Sequence, residues 1–128
     1  MSDSPKARVL IVDDAGLVRA YYRDILERAG YEIEEAFNGV EALEKLLQSP
    51  VDFVIVDINM PKMDGIAVLK KLRAEPKTKD IPIILLTNLY DNEKLVEASQ
   101  YGVYDYLIKS DWKIEDVVKK VKEKLRME

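Results

Sequence analysis

The sequence contains neither cysteine nor histidine. Without cysteine, the chain cannot form disulfides or bind zinc or iron–sulfur clusters through thiolates. Without histidine, it has no imidazole general base, no imidazole metal ligand and no phosphohistidine of its own. These two absences exclude thiol and imidazole chemistry from any site on this chain.

Long apolar runs and a strong excess of one charge are also absent. No stretch reaches the roughly 18 residues of a membrane-spanning helix, and residues 1–6 lack the apolar centre of a signal peptide. The net charge of -4, from 20 basic and 24 acidic residues, argues against broad binding to nucleic acid or anionic membranes. We therefore expect a cytoplasmic protein with no direct nucleic-acid partner and no membrane insertion. The length is typical of one domain, expected to span residues 1–128 with a core over residues 8–125.

Strand-like and helix-like patterns alternate five times along the chain. The strand-like segments are residues 9–12, 31–37, 53–56, 83–86 and 104–108. Five such units with short connections predict an α/β fold, an open doubly wound parallel sheet with helices on both faces. The pattern alone leaves the strand order undecided, although exposed glutamates in the second strand favour a position at or near the sheet edge.

Apolar spacing also predicts the inward face of each helix. In the first helix, Tyr21 and Tyr22 belong to the expected apolar stripe, and Gly30 is expected to end the helix. Asn38 and Gly39 are expected to cap the second helix, whose predicted stripe consists of Val40, Leu43 and Leu47.

Polar side chains follow four of the apolar strands, at the ends where ligands bind in parallel α/β sheets. They are Asp13 and Asp14, Asp57, Thr87 and Lys109. Each alone has an ordinary explanation, since an Asp after a strand is often a helix cap and a Lys is often a solvated terminus. Two adjacent acids repel unless a cation neutralises them, and a nearly buried carboxylate costs several kcal/mol unless paired. Together, the five residues predict a single site.

The predicted site has the groups that phosphoryl transfer onto a carboxylate requires. Asp13, Asp14 and Asp57, with the backbone carbonyl of Asn59, would supply oxygen ligands for Mg²⁺, with Mn²⁺ as the alternative ion. Asp57 would be the nucleophile and would form an aspartyl phosphate. The Thr87 hydroxyl and the Lys109 ammonium would neutralise the phosphoryl oxygens.

With these residues the chain resembles a response-regulator receiver domain of bacterial two-component signalling, of the stand-alone chemotaxis-regulator type. The resemblance rests on the residues above together with Met60-Pro61, Asp64-Gly65, Gly102 and Tyr106. It implies a flavodoxin-like strand order 2-1-3-4-5 and transfer of a phosphoryl group to Asp57 from a histidine kinase or phosphotransfer protein. It also implies that Asp14 ligates the metal directly while Asp13 acts largely through water.

The resemblance further implies a switch. Thr87 and Tyr106 match the pair that responds to phosphorylation, after which the surface of the fourth helix, fifth strand and fifth helix changes. We expect that surface to control binding of a downstream protein, although its exposed residues carry no motif that identifies this partner. We also expect a monomer or a weak dimer.

Four positions depart from or modulate the family pattern. Ser110 follows Lys109 where the family usually has proline, so a trans or a strained peptide bond is expected there. Asn88 is larger than the usual residue after the Thr and is expected to restrict access to Asp57. Asn59 and Leu89 match the positions that tune dephosphorylation.

Two other function classes stay open. One is a pseudo-receiver, a protein-binding scaffold whose site no longer reacts. The other is a metal-dependent phosphatase with an aspartyl nucleophile, which would need a second acid where Asn59 stands. The complete set of acids, Thr and Lys favours the reactive switch, expected here without an output domain.

Overall fold

The computed structural model describes residues 7–58, 65–87, 92–103, 106–108 and 114–125. Within them, strands and helices alternate along the chain. The strands are β1 (Arg8–Val12), β2 (Glu32–Ala36), β3 (Phe53–Asp57), β4 (Ile83–Thr87) and β5 (Tyr106–Ile108). The helices are α1 (Gly16–Arg28), α2 (Gly39–Gln48), α3 (Gly65–Ala74), α4 (Asn92–Ser99) and α5 (Ile114–Leu125). Within these residues, no helix combines the length and apolar character needed to cross a membrane.

The five strands form one parallel sheet in the order β2-β1-β3-β4-β5. Both the predicted fold class and the strand order implied by the resemblance are confirmed. β2 lies at one edge, as its exposed glutamates indicated. β3 and β4 are buried along their whole length, which explains their uninterrupted apolar runs.

Two apolar cores lie on opposite faces of the sheet because successive strand residues point to opposite sides. Val9 and Ile11 of β1 pack in the core that contains Tyr22 and Leu26 of α1 and Val121 of α5. The alternate residues of β1 pack in the core formed by α2, α3 and α4. The helices that follow β1 and β3 therefore lie on opposite faces of the sheet, α1 on one face and α3 on the other.

The predicted stripe of α2 was wrong in part. Val40 and Leu47 are about half exposed, whereas Ala42 and Leu46 are buried and Leu43 packs against them. The small Ala42 faces the sheet, and apolar spacing alone could not distinguish this face from the neighbouring one. Tyr21 of α1 is likewise exposed, while Tyr22 is buried as expected.

The predicted start of α2 and the predicted end of α1 are confirmed. The Asn38 side chain accepts a hydrogen bond from the Glu41 backbone N–H at 2.8 Å and so caps α2. Gly30 and Gly102 have positive φ angles of 99° and 77°, the conformation in which glycine commonly ends a helix.

Gly65 allows α3 to begin directly against the end of β3. Its N–H donates to the Ile58 carbonyl at 3.0 Å. A Cβ atom at this position would lie 2.7 Å from the Ile58 Cα and 2.9 Å from the Asp57 carbonyl oxygen. Because both neighbours are backbone atoms, no change of rotamer can relieve such a contact.

We predict that Gly65→Ala lowers the free energy of unfolding by about 1 to 3 kcal/mol, the usual cost of overpacking. Urea denaturation of the purified variants would measure it. Gly16→Ala is the matched control, since its Cβ would meet only the Arg19 guanidinium, at 3.7 Å. Equal stability of the two variants would show that β3 and α3 can separate at no cost.

Candidate functional site

Three carboxylates meet at the carboxyl ends of β1 and β3. One oxygen from each of Asp13, Asp14 and Asp57 lies within 4.8 Å of the others. Asp13 and Asp57 are each only 1% exposed, whereas Asp14 is exposed. The cluster thus has a buried floor of two acids and one acid open to solvent.

The sheet register explains why the two buried acids are neighbours. Val12 is paired with Val56, so the next residues of the two strands, Asp13 and Asp57, come side by side. Both continue the alternation of the α1 and α5 face, beyond Ile11 and Ile55. The two acids therefore lie together, as their positions directly after neighbouring strands predicted.

The main chain around Asp13 is held by hydrogen bonds. Its N–H donates to the Ala36 carbonyl of β2 at 3.1 Å, and its Oδ1 accepts the Ala15 N–H at 2.9 Å. Ala15 is the N-cap of α1 and forms no side-chain cap hydrogen bond. Neither aspartate therefore occupies the N-cap position itself, so helix capping does not account for the pair.

The donor set fits a small divalent cation. Three carboxylates this close repel one another, and the repulsion is strong where two of them are buried in a medium of low dielectric constant. Oxygen ligands at a half-open site are what Mg²⁺ requires, since this ion keeps several of its waters. The residues present therefore match the predicted magnesium site in charge and chemistry.

Tyr22 is a buried tyrosine that sequence reasoning assigned only to the core. Burial raises the pKa of its phenol above the usual value, and the negative charges of Asp13 and Asp57 raise it further. Helical side chains tilt toward the helix N-terminus, and α1 begins at the acidic cluster, so the Tyr22 hydroxyl is directed toward the acids. In the sequence, the feature that could have indicated this role is a tyrosine within the apolar stripe of α1, one and a half turns after the helix begins.

Thr87 and Tyr106 lie on the other face of the sheet. Thr87 is fully buried at the end of β4 and continues the alternation of Ile83 and Leu85. Tyr106 is the register partner of Leu85 and is 43% exposed. Its neighbour Leu107 packs in the α1 and α5 core, so Tyr106 shares the Thr87 face, two residues away along the ladder.

Several predicted positions lie outside the described residues. They are Asn59, Asn88, Leu89, Lys109 and Ser110. Their roles as metal ligand, access control and phosphoryl ligand, and the peptide bond at Ser110, stay predictions.

Comparison with known protein families gives one result over most of the chain. Residues 9–122 match the model of the response regulator receiver domain. The match includes every residue of the candidate site, from Asp13 to Lys109.

Individual relatives are similarly close. The chemotaxis protein CheY-3 of Vibrio cholerae is 38% identical over 103 residues, which cover 80% of this chain and 79% of the relative. The solved structure of chemotaxis protein CheY4 of Vibrio cholerae has a TM-score of 0.87 and 35% identity, over 93% of this chain and 98% of the other. A protein-glutamate methylesterase/protein-glutamine glutaminase of Archaeoglobus fulgidus is 38% identical over 122 residues, which cover 93% of this chain but only 34% of that enzyme.

The raised pKa of Tyr22 predicts a loss of stability at alkaline pH. Below the usual phenol pKa of about 10, both folded and unfolded states keep the proton, so this group adds no pH dependence. Above it, the unfolded state loses the proton first, and the free energy of unfolding falls as pH rises. We expect Tyr22→Phe to lose less stability than wild type between about pH 9 and pH 11, measured by urea denaturation.

Tyr21→Phe is the control, because it removes the same hydroxyl from the exposed face of the same helix. An identical pH dependence of wild type and Tyr22→Phe would show that neither burial nor the charges of Asp13 and Asp57 raise the pKa of this phenol.

Proposed function

The chain belongs to the family of response regulator receiver domains, and from that premise we propose that it is a phosphorylatable switch. Asp57 accepts a phosphoryl group from the phosphohistidine of a kinase or phosphotransfer protein. The observation that carries the proposal is the cluster of three carboxylates within 4.8 Å, with Asp57 buried in its floor. Such a cluster destabilises the folded protein unless a bound cation or another positive charge compensates its negative charge.

Asp13, Asp14 and Asp57 would hold Mg²⁺, or Mn²⁺ in its place, together with the Asn59 backbone carbonyl. When bound, the cation supplies positive charge to the carboxylates and to the phosphoryl oxygens. Asp14, the exposed member, is suited to ligate it directly, and buried Asp13 to act largely through water.

Phosphoryl transfer then requires mainly a nucleophile and the correct position of the phosphoryl group relative to it. A carboxylate oxygen of Asp57 bonds to phosphorus, the bond from phosphorus to the donor imidazole nitrogen breaks, and the imidazole keeps the electron pair. Burial of Asp57 limits water at the reacting oxygen, which protects the acyl phosphate. The Thr87 hydroxyl and the Lys109 ammonium would bind the transferred oxygens.

The proposed switch links Thr87 to Tyr106. Movement of the Thr87 hydroxyl toward the phosphoryl group would leave room on its face of the sheet, and the half-exposed Tyr106 ring would turn into it. A ligand shifts a two-state equilibrium only through differential affinity, and the phosphoryl group has that affinity for the state with Thr87 drawn in.

The surface that would change includes a groove of about 430 Å³ between β5 and α5. Its lining combines Tyr106 and Ile108 with charged residues of α5, among them Lys119 and Glu123. A downstream protein that binds there would sense the position of the Tyr106 ring. Similarity to chemotaxis proteins supports a protein target and not nucleic acid, in keeping with the net charge of -4.

The two other functions receive no specific support. A pseudo-receiver would need a missing or displaced acid, but all three acids are present and close together. A metal-dependent phosphatase is less consistent with the match to receiver domains over residues 9–122.

We predict that wild type, incubated with Mg²⁺ and a small phosphodonor such as acetyl phosphate, gains about 80 Da in intact mass, the mass of one phosphoryl group. Asp57→Asn removes the nucleophile and should abolish the adduct. Asp24→Asn is the matched control, an exposed aspartate of α1 that pairs with Arg28 and should react as wild type does.

No adduct on wild type, either with the small donor or with a phosphorylated histidine kinase, would exclude the switch. An adduct that persists in Asp57→Asn would place the acceptor elsewhere on the chain.

We also predict that Asn88→Ala reacts faster than wild type with a small phosphodonor, because a smaller side chain opens the path to Asp57. Stopped-flow fluorescence of Trp112, which lies near Lys109 in sequence, or timed mass spectrometry would give the rate. An unchanged or slower rate would show that Asn88 does not control access.

A further inference from the structure

Arg19 of α1 connects the acidic cluster to β2. Its Nη1 donates to the backbone carbonyl of Asp13 at 2.7 Å, and its Nε donates to Glu35 Oε1 at 3.2 Å. The Arg19 side chain is 19% exposed and that of Glu35 is 26% exposed, so water screens these contacts only in part. A single guanidinium thus joins the turn after β1 to the edge strand.

Glu35 is itself fixed on three sides. Its second carboxylate oxygen accepts from Arg23 Nη1 at 2.6 Å, and its backbone carbonyl accepts from the Lys45 ammonium of α2. Burial acts to raise the pKa of Glu35, but the hydrogen bonds from Arg23 and Arg19 outweigh it and lower that pKa. Glu35 therefore stays charged and can orient Arg19.

The peptide groups on both sides of Asp13 are consequently held. The N–H is bound by Ala36, the neighbour of Glu35, and the carbonyl is bound by Arg19. The Asp13 carboxylate is oriented by the Ala15 N–H within the same turn. The contact from Arg19 comes from a side chain outside this turn, so it can be removed without changing the turn's own sequence.

We propose that Arg19, anchored by Glu35, is a positioning residue for the acidic cluster and sets its affinity for Mg²⁺. The proposal rests on the proposed function, because it assumes that Asp13, Asp14 and Asp57 hold the ion. Arg19 acts through the Asp13 main chain and need not touch the metal.

Charge and orientation make opposite predictions for this arginine. As a nearby positive charge, Arg19 opposes a cation, so its removal would tighten Mg²⁺ binding if charge dominated. As a hydrogen-bond donor it holds the turn, so its removal would weaken binding if orientation dominated. Glu35 pairs with both Arg19 and Arg23, and Glu27 pairs with Arg23, so two carboxylates balance the two guanidinium charges and leave orientation as the larger effect.

The test is Arg19→Met, which keeps an unbranched side chain in place of the arginine stem and removes the charge and the donors. We expect the Mg²⁺ dissociation constant, measured by isothermal titration calorimetry on the full chain, to rise about tenfold, the lower end of what loss of an outer-shell partner costs. Arg19→Lys keeps the charge but not the fork that spans Glu35 and Asp13, so it should restore only part of the affinity.

Arg28→Met is the control on the same helix, since Arg28 is largely exposed and pairs only with Asp24 among the described residues. A metal-free readout accompanies the titration. Hydrogen exchange of the Ala15 amide, which donates to Asp13 Oδ1, should quicken in Arg19→Met and stay unchanged in Arg28→Met. If Arg19→Met does not fold, Glu35→Gln releases Arg19 from its anchor. Because loss of the Glu35 charge would itself weaken Mg²⁺ binding, faster exchange of the Ala15 amide is the deciding readout for this variant, and unchanged exchange would overturn the positioning role.

Tighter or unchanged Mg²⁺ binding by Arg19→Met, or full affinity in Arg19→Lys with unchanged Ala15 exchange, would overturn the positioning role. No Mg²⁺ binding by wild type would overturn the proposed function and with it the effect on affinity, while faster Ala15 exchange in Arg19→Met would still show that Arg19 holds the turn.

Discussion

The structure depends on one electrostatic constraint, which is the placement of two buried carboxylates side by side at the ends of adjacent strands. Moving a carboxylate out of water costs several kcal/mol, and a second one beside it adds repulsion. Asp13 and Asp57 nevertheless lie next to each other because Val12 and Val56 are register partners. Their position is imposed by the sheet, and the sheet has to be stable enough to impose it.

The topology shows how the crevice above these acids arises. β1 has β2 on one side and β3 on the other, so the strand order reverses at β1. The helix after β1, α1, packs on one face of the sheet, and the helix after β3, α3, packs on the opposite face. Open α/β sheets bind ligands at such a point. The fully buried β3 and the contact of Gly65 with its end keep the Asp57 backbone in place.

The parts of this arrangement that sequence could reveal are those with a local signature. Alternating apolar segments identified the sheet, and polar residues directly after strands identified Asp13, Asp14 and Asp57. The strand order came from the family resemblance, since no local pattern encodes which strands pair. The inward face of α2 was wrong in part because Ala42 and Leu46 compete with Val40 and Leu47 on spacing alone. The contact from Arg19 to Asp13 was not foreseen, because it depends on how α1 packs beside β2.

The role of Tyr22 could be predicted from the sequence only in part. Its burial was expected from helical spacing, but its electrostatic coupling to Asp13 and Asp57 was not, since that requires the direction of the side chain along α1. A phenol that keeps its proton adds no further charge near the two carboxylates. Tyr22 can therefore lie in the apolar core beside Ile11 and Ile55.

The proposed switch must carry a signal from one face of the sheet to the other. The acids continue the face of α1 and α5, while Thr87 and Tyr106 lie on the face of α3 and α4. Close-packed strands cannot transmit a shift through their own core without large cost, so the strand ends offer the easier route. The register makes that route short, because Asp57 is paired with Leu86 and Thr87 is the next residue. A phosphoryl group on Asp57 would thus affect the opposite face by drawing the single hydroxyl of Thr87 toward it at the end of the sheet, and β5 would sense the change through Tyr106.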